Sequence, residues 1–465
     1  VTTIDAALRG AQLVERALAL SRADGCVVLA TESSGANLRW ANNTLTTNGE
    51  STDRAVRVIS IVGRSFGAAS ATRVDSPERL ADLVRAAETA AQEAGAAEDF
   101  GELIAPGSAG SAADFALPGD MTSTAVFRTV AVELGEAFAA AKADDRRLYG
   151  FVQHDVTTSW LGTSTGLRRR HVQPVGTAEF TAKDAGPRGS VWHGQATRDF
   201  TDVSVPATDA LLRRRLAWSA RPVDLPAGRY PVVLPPPCLA DLMIYLYWSA
   251  AGRDAADGRS AFSAPHGGTR VGERLGPPGL VIAGDPTAPG VAVEPFVMAS
   301  GSSATSSVFD NGLPLGRTEW VSDGVLSALV ETRASAGRRQ VPVTPFIDNL
   351  IVDAGGSAGV DDLVAVTERG LLLTSLWYIR EVDPQTLLLT GLTRDGVYLV
   401  EGGEVVGAVN NFRFNESPID LLGRLAEVGR SVPAFSREWG DYFPWTRMPA
   451  VVVPDFHMSS VSPAS

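Results

Sequence analysis

Apolar residues first recur at helical spacing: Ile4, Leu8, Ala11, Val14 and Leu18 lie three and four apart, which predicts an amphipathic helix over 4–20. Short apolar or alternating runs follow at 26–30, 37–41, 54–62 and 67–72, separated by clusters of Ser, Asn, Gly and Asp. These predict antiparallel strands joined by turns. Ser76 followed by Pro77 offers an N-cap with proline at the first helical position, and Leu80, Leu83, Val84, Ala87, Ala90 and Ala91 continue at helical spacing. Residues 106–121 are loop-like. Val126, Val130, Leu134 and Phe138 then recur every fourth position and predict a helix over 122–143. A strand meander over 149–180 and a helix rich in Leu and Arg over 208–219 complete this part.

Pro222, Pro226 and Gly228 break the pattern and mark a boundary. Beyond it a strand at 230–234 leads into a helix at 238–250. Most later segments are short strands punctuated by glycine, as at 279–283, 324–330, 370–377 and 396–409. Ser417, Pro418 and Asp420 open a late helix with a capping-box-like start, Asp replacing the usual Glu or Gln. The expected fold class is α+β, with an N-terminal α+β domain over 1–225 and a β-rich α+β C-terminal domain over 226–465. Length agrees: the chain has 465 residues, and single hydrophobic cores stop growing at roughly 250–300. No internal repeat is visible.

Composition is that of a globular protein, 45% hydrophobic and 20% charged, with 46 Gly and 28 Pro for the many turns. A net charge of -12 argues against general affinity for nucleic acid or anionic membrane, which needs a basic face. Lys142 and Lys183 are the only lysines, so nearly all basic charge is arginine, as codon bias in a GC-rich genome would produce. Two distant cysteines, Cys26 and Cys238, support neither a disulfide framework nor a cysteine-rich zinc module, and fit a reducing cytoplasm. The N-terminus lacks the basic start and continuous apolar stretch of a signal peptide. The longest apolar stretch, 238–251, contains Asp241 and is shorter than the ~20 residues that span a bilayer.

Few motifs carry chemistry. Gly162-Thr163-Ser164-Thr165-Gly166 matches the nucleophile-elbow pattern, which needs a strand before it and a helix after it. Here an Arg-rich, strand-like segment follows, so Ser164 reads as part of a hairpin turn. No phosphate-binding glycine loop is present. Asn42-Asn43-Thr44 and Asn415-Glu416-Ser417 match the glycosylation pattern but, without a secretory signal, read as turn residues. The five histidines, 154, 171, 193, 266 and 457, are scattered with no pair at ligand spacing. The residues alone thus reach a two-domain α+β protein with no self-sufficient catalytic constellation.

Several segments taken together resemble the TldD/PmbA family of cytosolic metallopeptidases and gyrase modulators. They are Leu38-Arg39-Trp40-Ala41-Asn42-Asn43, Phe66-Gly67-Ala68-Ala69-Ser70, Gly284-Asp285-Pro286, Phe309-Asp310-Asn311-Gly312-Leu313-Pro314, Asp323-Gly324-Val325-Leu326, Ser335-Ala336, Thr390-Gly391 and Val400-Glu401-Gly402-Gly403-Glu404. Each is weak alone; their order and spacing carry the resemblance. In the catalytic TldD-type subunit a strand like 232–234 leads into a helix bearing H-E-x-x-x-H, with a later cysteine as a further zinc ligand. Here Ile244 and Ser249 fall where the histidines would be, Tyr245 where the glutamate would be, and no cysteine follows Cys238. These positions supply neither zinc ligands nor a general base.

The PmbA/TldE-type subunit also lacks the motif and works paired with a TldD-type chain. The resemblance therefore implies a noncatalytic subunit with no catalytic or metal-binding residues of its own. Zinc is expected in an H-E-x-x-x-H partner, and small or unfolded peptides, or peptide-like intermediates of natural-product maturation, would be cleaved in a shared cavity. Ile244, Tyr245 and Ser249 are the candidates for lining it. The family's acidic Asp-Asp-Glu-Gly segment appears here as Phe309-Asp310-Asn311-Gly312, which marks a divergent member. The alternatives are a regulatory or binding protein without a hydrolytic partner, and a hydrolase using Ser164 or an unrecognised site.

Overall fold

The computed structural model describes residues 10–107, 112–184 and 189–462. The N-terminal part is built on long strands: β1 (Gly25–Ala41), β2 (Thr44–Val62), β3 (Ser65–Thr72), β4 (Arg147–Thr163), β5 (Arg168–Lys183) and β6 (Ser190–Thr197), in the sheet order β3-β2-β1-β4-β5-β6. Every adjacent pair is antiparallel. Among the described residues, four helices cover it: α1 (Ala11–Leu20), α2 (Pro77–Glu93), α3 (Arg128–Ala143) and α4 (Val205–Ser219). The first predicted helix is thus present from Ala11; positions 4–9 lie outside the described residues.

Alternation along β1 explains the layering. Cys26, Val28 and Ala30 point to one face, against Leu13, Val14 and Ala17 of α1 and Leu80, Leu83, Val84 and Ala87 of α2. Further along the same face Ala36, Leu38 and Trp40 pack against Val130 and Leu134 of α3 and Leu212 and Leu216 of α4. Val27 and Leu29 point the other way, into a cluster with Phe296, Val308 and Phe309 of the C-terminal part. Burial on both faces is why 26–30 reads as a continuous apolar run. The polar stretch Thr31–Gly35, expected as a turn, is mid-strand: its backbone is paired on both sides, to 51–55 of β2 and 155–159 of β4.

Local signals act as the sequence predicts. Asn42 and Asn43 both take the left-handed conformation (φ 50° and 59°) and close the β1–β2 hairpin. Asn43 also donates to the Arg146 carbonyl and accepts from the Leu148 N–H, both at 2.7 Å. Ser76 caps α2 by accepting from the Arg79 N–H at 3.2 Å. The predicted 122–143 helix opens with a 3-10 turn, Thr124–Phe127, before α3.

The C-terminal part holds two sheets with α5 (Pro236–Trp248) between them. A ten-stranded sheet contains Gly228–Leu234, with Leu376–Asp383 at one end of the strand order and Pro222–Val223 at the other. A six-stranded sheet contains Val281–Gly284, Thr318–Ser322 and Leu350–Asp353. Leu239, Leu242, Met243, Ile244, Leu246 and Tyr247 of α5 share one cluster with Ile282, Val321 and Val352 of the smaller sheet and Leu371, Phe414 and Phe456 of the larger. Leu242, Met243, Ile244, Leu246 and Tyr247 are buried while Tyr245 and Trp248 are half-buried, so most of the apolarity of 242–248 is accounted for by its own domain. Among the described residues, no helix is long and apolar enough to cross a membrane.

Candidate functional site

Helix α5 does not bring the three candidate positions to one place. Ile244 is fully buried in the core. Ser249 caps the helix C-terminus, and its hydroxyl donates back to the Tyr245 carbonyl at 3.0 Å. Tyr245 faces outward, its ring 5.7 Å from Trp439 and 6.4 Å from Trp248. Burial foremost, and then the Glu381 carboxylate, raises its phenol above the usual range, so it is a neutral donor. A buried hydrocarbon, a phenol and a back-bonded hydroxyl are not a donor set for zinc. The residues at the motif's positions do not fit the metal.

Tyr245 opens onto a cleft of about 470 Å³ lined with Trp377, Tyr378, Arg380, Glu438, Trp439 and Tyr442. Its far wall is an irregularity in the strand Leu376–Asp383, where pairing with Leu388–Thr393 skips between Trp377 and Arg380. Tyr378 sits there at φ 54°, a conformation that costs a bulky side chain energy. Glu438 holds it: the carboxylate accepts from the Tyr378 N–H at 2.8 Å, the Ile379 N–H at 3.1 Å and the Arg380 guanidinium at 2.9 Å. The bulge projects the Tyr378 ring outward, 52% exposed, with Arg380 stacked 4.5 Å from its centroid.

Glu438 is in turn placed by α5. Asp241 accepts from the Glu438 N–H at 3.0 Å and from the Ser436 hydroxyl, and its carbonyl accepts from the Trp439 indole at 3.0 Å. Among the described residues its Oδ2 has no partner. Burial outweighs the two hydrogen bonds and, with the Glu438 charge adding to it, pushes the Asp241 carboxyl up to about 7. The result is an aromatic cleft beside a carboxylate already committed to structure. Such a surface stacks against apolar or aromatic groups and supplies no nucleophile. Tyr378 and Glu438 were missed from sequence; the one local sign was the density of aromatics in 377–378 and 439–445.

Ser164 lies exposed in the β4–β5 turn, its hydroxyl accepting from the Cys26 N–H at 3.0 Å. His154 is buried and satisfied, Nδ1 to the Thr122 hydroxyl at 2.6 Å and Nε2 to the Arg198 carbonyl at 2.8 Å. His171 pairs with Gln173 at 3.0 Å. Both cysteines are free and buried, and burial raises both thiols, Cys26 to about 11. Among the described residues no three His, Cys, Asp or Glu side chains group closely enough to hold a metal.

The segment 309–312 is structural here. Phe309 enters the inter-domain cluster, Asp310 accepts from the Arg333 Nε at 2.8 Å, and buried Asn311 donates to the Ala299 and Val308 carbonyls at 2.9 Å. Gly312 has φ 84°, and a Cβ there would lie 2.0 Å from Leu167.

A layered α+β fold with an N-terminal sheet domain and a β-rich C-terminal domain defines the class, and comparison with known proteins gives the family. Residues 227–460 match the PmbA/TldA metallopeptidase C-terminal domain and residues 26–93 match PmbA/TldA metallopeptidase domain 1. The chain belongs to the PmbA/TldD family. Among solved structures, TldE from Thermococcus kodakarensis superposes with a TM-score of 0.78 at 15% identity, over 96% of this chain and 98% of that one. A proposed modulator of a DNA gyrase from Thermotoga maritima gives 0.75 at 18%, over 96% and 99%. Another, from Bacteroides thetaiotaomicron, gives 0.75 at 14%, over 97% and 98%. No curated protein matches the sequence.

Proposed function

We propose that this chain is the noncatalytic, TldE-like subunit of a heterodimeric TldD/TldE-type zinc metallopeptidase acting on small or unfolded peptides or peptide-like substrates in the cytoplasm. In this reading its domains divide near 225/226, the partner carries H-E-x-x-x-H and the zinc, and this chain contributes the aromatic cleft around Tyr245 to the chamber in which substrate is held. The observation that carries it is α5: where the resemblance would put the metal ligands, Ile244 lies in the core and Ser249 is bonded to its own helix. The likeness to TldE over nearly the whole chain supports the same assignment.

The test is co-expression with a TldD-type paralogue, size-exclusion chromatography, and a peptide-cleavage assay on each chain and on the mixture. A complex whose cleavage needs both chains is the expected result, with zinc found by elemental analysis in the partner only. Cleavage by this chain alone, or a partner equally active without it, overturns the assignment.

A further inference from the structure

Helix α4 carries three consecutive arginines, and two of them are matched by acids. Arg213 donates to Asp209 at 2.8 Å and meets Asp144 at 2.7 Å, and Arg214 donates to Asp361 at 3.0 Å. Arg215 differs. Among the described residues its hydrogen bonding is a single contact, Nη1 to the Trp192 carbonyl at 2.6 Å. A guanidinium stays protonated in proteins and carries five N–H donors, so most of this fork is unmatched.

Arg215 lines two adjoining hollows between the domains. One, about 410 Å³, is walled by Trp192, His193, Pro236 and Phe435. The other, about 380 Å³, is walled by Trp218, Val360 and Leu372. Volumes of this size are those of small-molecule pockets, ~300–1,000 Å³. Among the described residues no neighbouring carboxylate is free to supply the missing anion. Asp361 is taken by Arg214, Asp362 accepts from the Gly359 N–H at 2.8 Å, and Asp202 is exposed and accepts from the Thr197 hydroxyl. His193 is neutral near pH 7, since burial and then the Arg215 charge push its imidazole down to about 4.

We infer that the inter-domain cavity at Arg215 is a binding site for a carboxylate borne on an apolar body. A partly desolvated guanidinium with a free edge is matched by a planar, bidentate anion. The walls decide against phosphate. Pro235, Pro236 and Pro237 have no N–H, so the start of α5 offers no amide donors to a multiply charged group, and Phe435, Trp192 and Val360 present apolar surface for the rest of the ligand. The carboxylate can come from a peptide C-terminus or from a free apolar acid. The site is lined by residues of this chain and lies at the opposite end of α5 from Tyr245.

Calorimetric titration of the isolated chain tests it, with N-acetyl-alanyl-phenylalanine, its C-terminal amide and 3-phenylpropionate as probes. The acids are expected to bind and the amide to bind about tenfold more weakly or worse. Arg215→Met removes acid binding, Arg215→Lys keeps part of it, and Val360→Trp blocks it from the opposite wall with Arg215 intact. Arg213→Ala leaves it unchanged. Tighter binding of the peptide acid than of phenylpropionate identifies a peptide C-terminus as the ligand, and the reverse identifies a free acid. Equal binding of acid and amide, undiminished binding by folded Arg215→Met or Val360→Trp, or no acid binding to the wild-type chain overturns the proposal.

Discussion

Asp241 shows how one buried side chain sets the geometry of the cleft. Its carboxylate and carbonyl hold 436–439, Glu438 of that segment holds the bulge at Tyr378, and the bulge and Tyr245 form facing walls. The cost is ionisation in a buried place. A carboxyl whose folded value stands near 7 against an ordinary 3.8 binds its proton more tightly in the native state. Its full contribution to stability is therefore present below 3.8 and is lost as pH rises through 7. Asn resembles the neutral acid, so Asp241→Asn is expected to gain melting temperature relative to wild type between pH 5 and pH 8.5, whatever its offset at pH 5. A difference between the two proteins that stays flat over that range would show that Asp241 titrates normally. The same residues mark what a sequence discloses at this scale. The turn at Asn42-Asn43 and the caps at Ser76 and Ser417 were legible because they act within a few positions, whereas the Asn43 side chain's bonds to Arg146 and Leu148 were not. Tyr378 and Glu438 were not, because their partnership spans sixty positions and depends on a strand irregularity that periodicity does not encode.

Elements were legible where apolar periodicity or a continuous apolar run marks them and illegible where polarity came from sequence composition rather than from a chain reversal. Thr31–Gly35 read as a turn and is strand, since hydrogen bonds from two neighbours fix an extended backbone whatever the side chains. The segment around Gly67, by contrast, names a packing constraint. β3 lies so close on α2 that a Cβ at Gly67 would sit 2.1 Å from the Ala91 nitrogen and 2.4 Å from the Ala90 carbonyl carbon, with backbone rather than a movable side chain in the way. Gly67→Ala is expected to destabilise by about 2–4 kcal/mol, read as a fall in the urea midpoint. Gly95, with nothing near its Cβ position, is the control: Gly95→Ala should stay within ~0.5 kcal/mol. Equal midpoints for the two variants would mean that β3 and α2 are not locked together.

At the scale of the molecule, the sequence indicated two domains but not how far they depend on one another. The face of β1 and β2 that carries Val27, Leu29, Ile59 and Ile61 is covered by Phe296, Val308 and Phe309 from the C-terminal part, with Phe309 set edge-on to Phe66 at 5.9 Å and Phe100 at 5.4 Å. Polar contacts surround this shared core: Ser307 donates to Asp99 at 2.6 Å, Arg253 pairs with Glu98 at 2.6 Å, and Arg333 donates to the Glu102 carbonyl at 2.8 Å. Ser190 donates to Asp395 at 2.6 Å across the other end of the sheet. One surface ion pair and three hydrogen bonds contribute modestly each, so the apolar cluster is what couples the domains. Phe309→Ala empties a fully enclosed site and should cost about 3–5 kcal/mol. Because its ring serves both parts, calorimetry and fluorescence should report one transition, lowered as a unit. A fragment of residues 1–225 would expose Val27, Leu29, Ile59, Ile61 and Leu161 together, a contiguous apolar patch of the kind that drives association. It should aggregate or bind a hydrophobic dye unless the C-terminal part is supplied. A fragment that stays monomeric and melts where the intact chain does would show that the two domains are stable independently, and that the cluster at Phe309 is contact rather than common core.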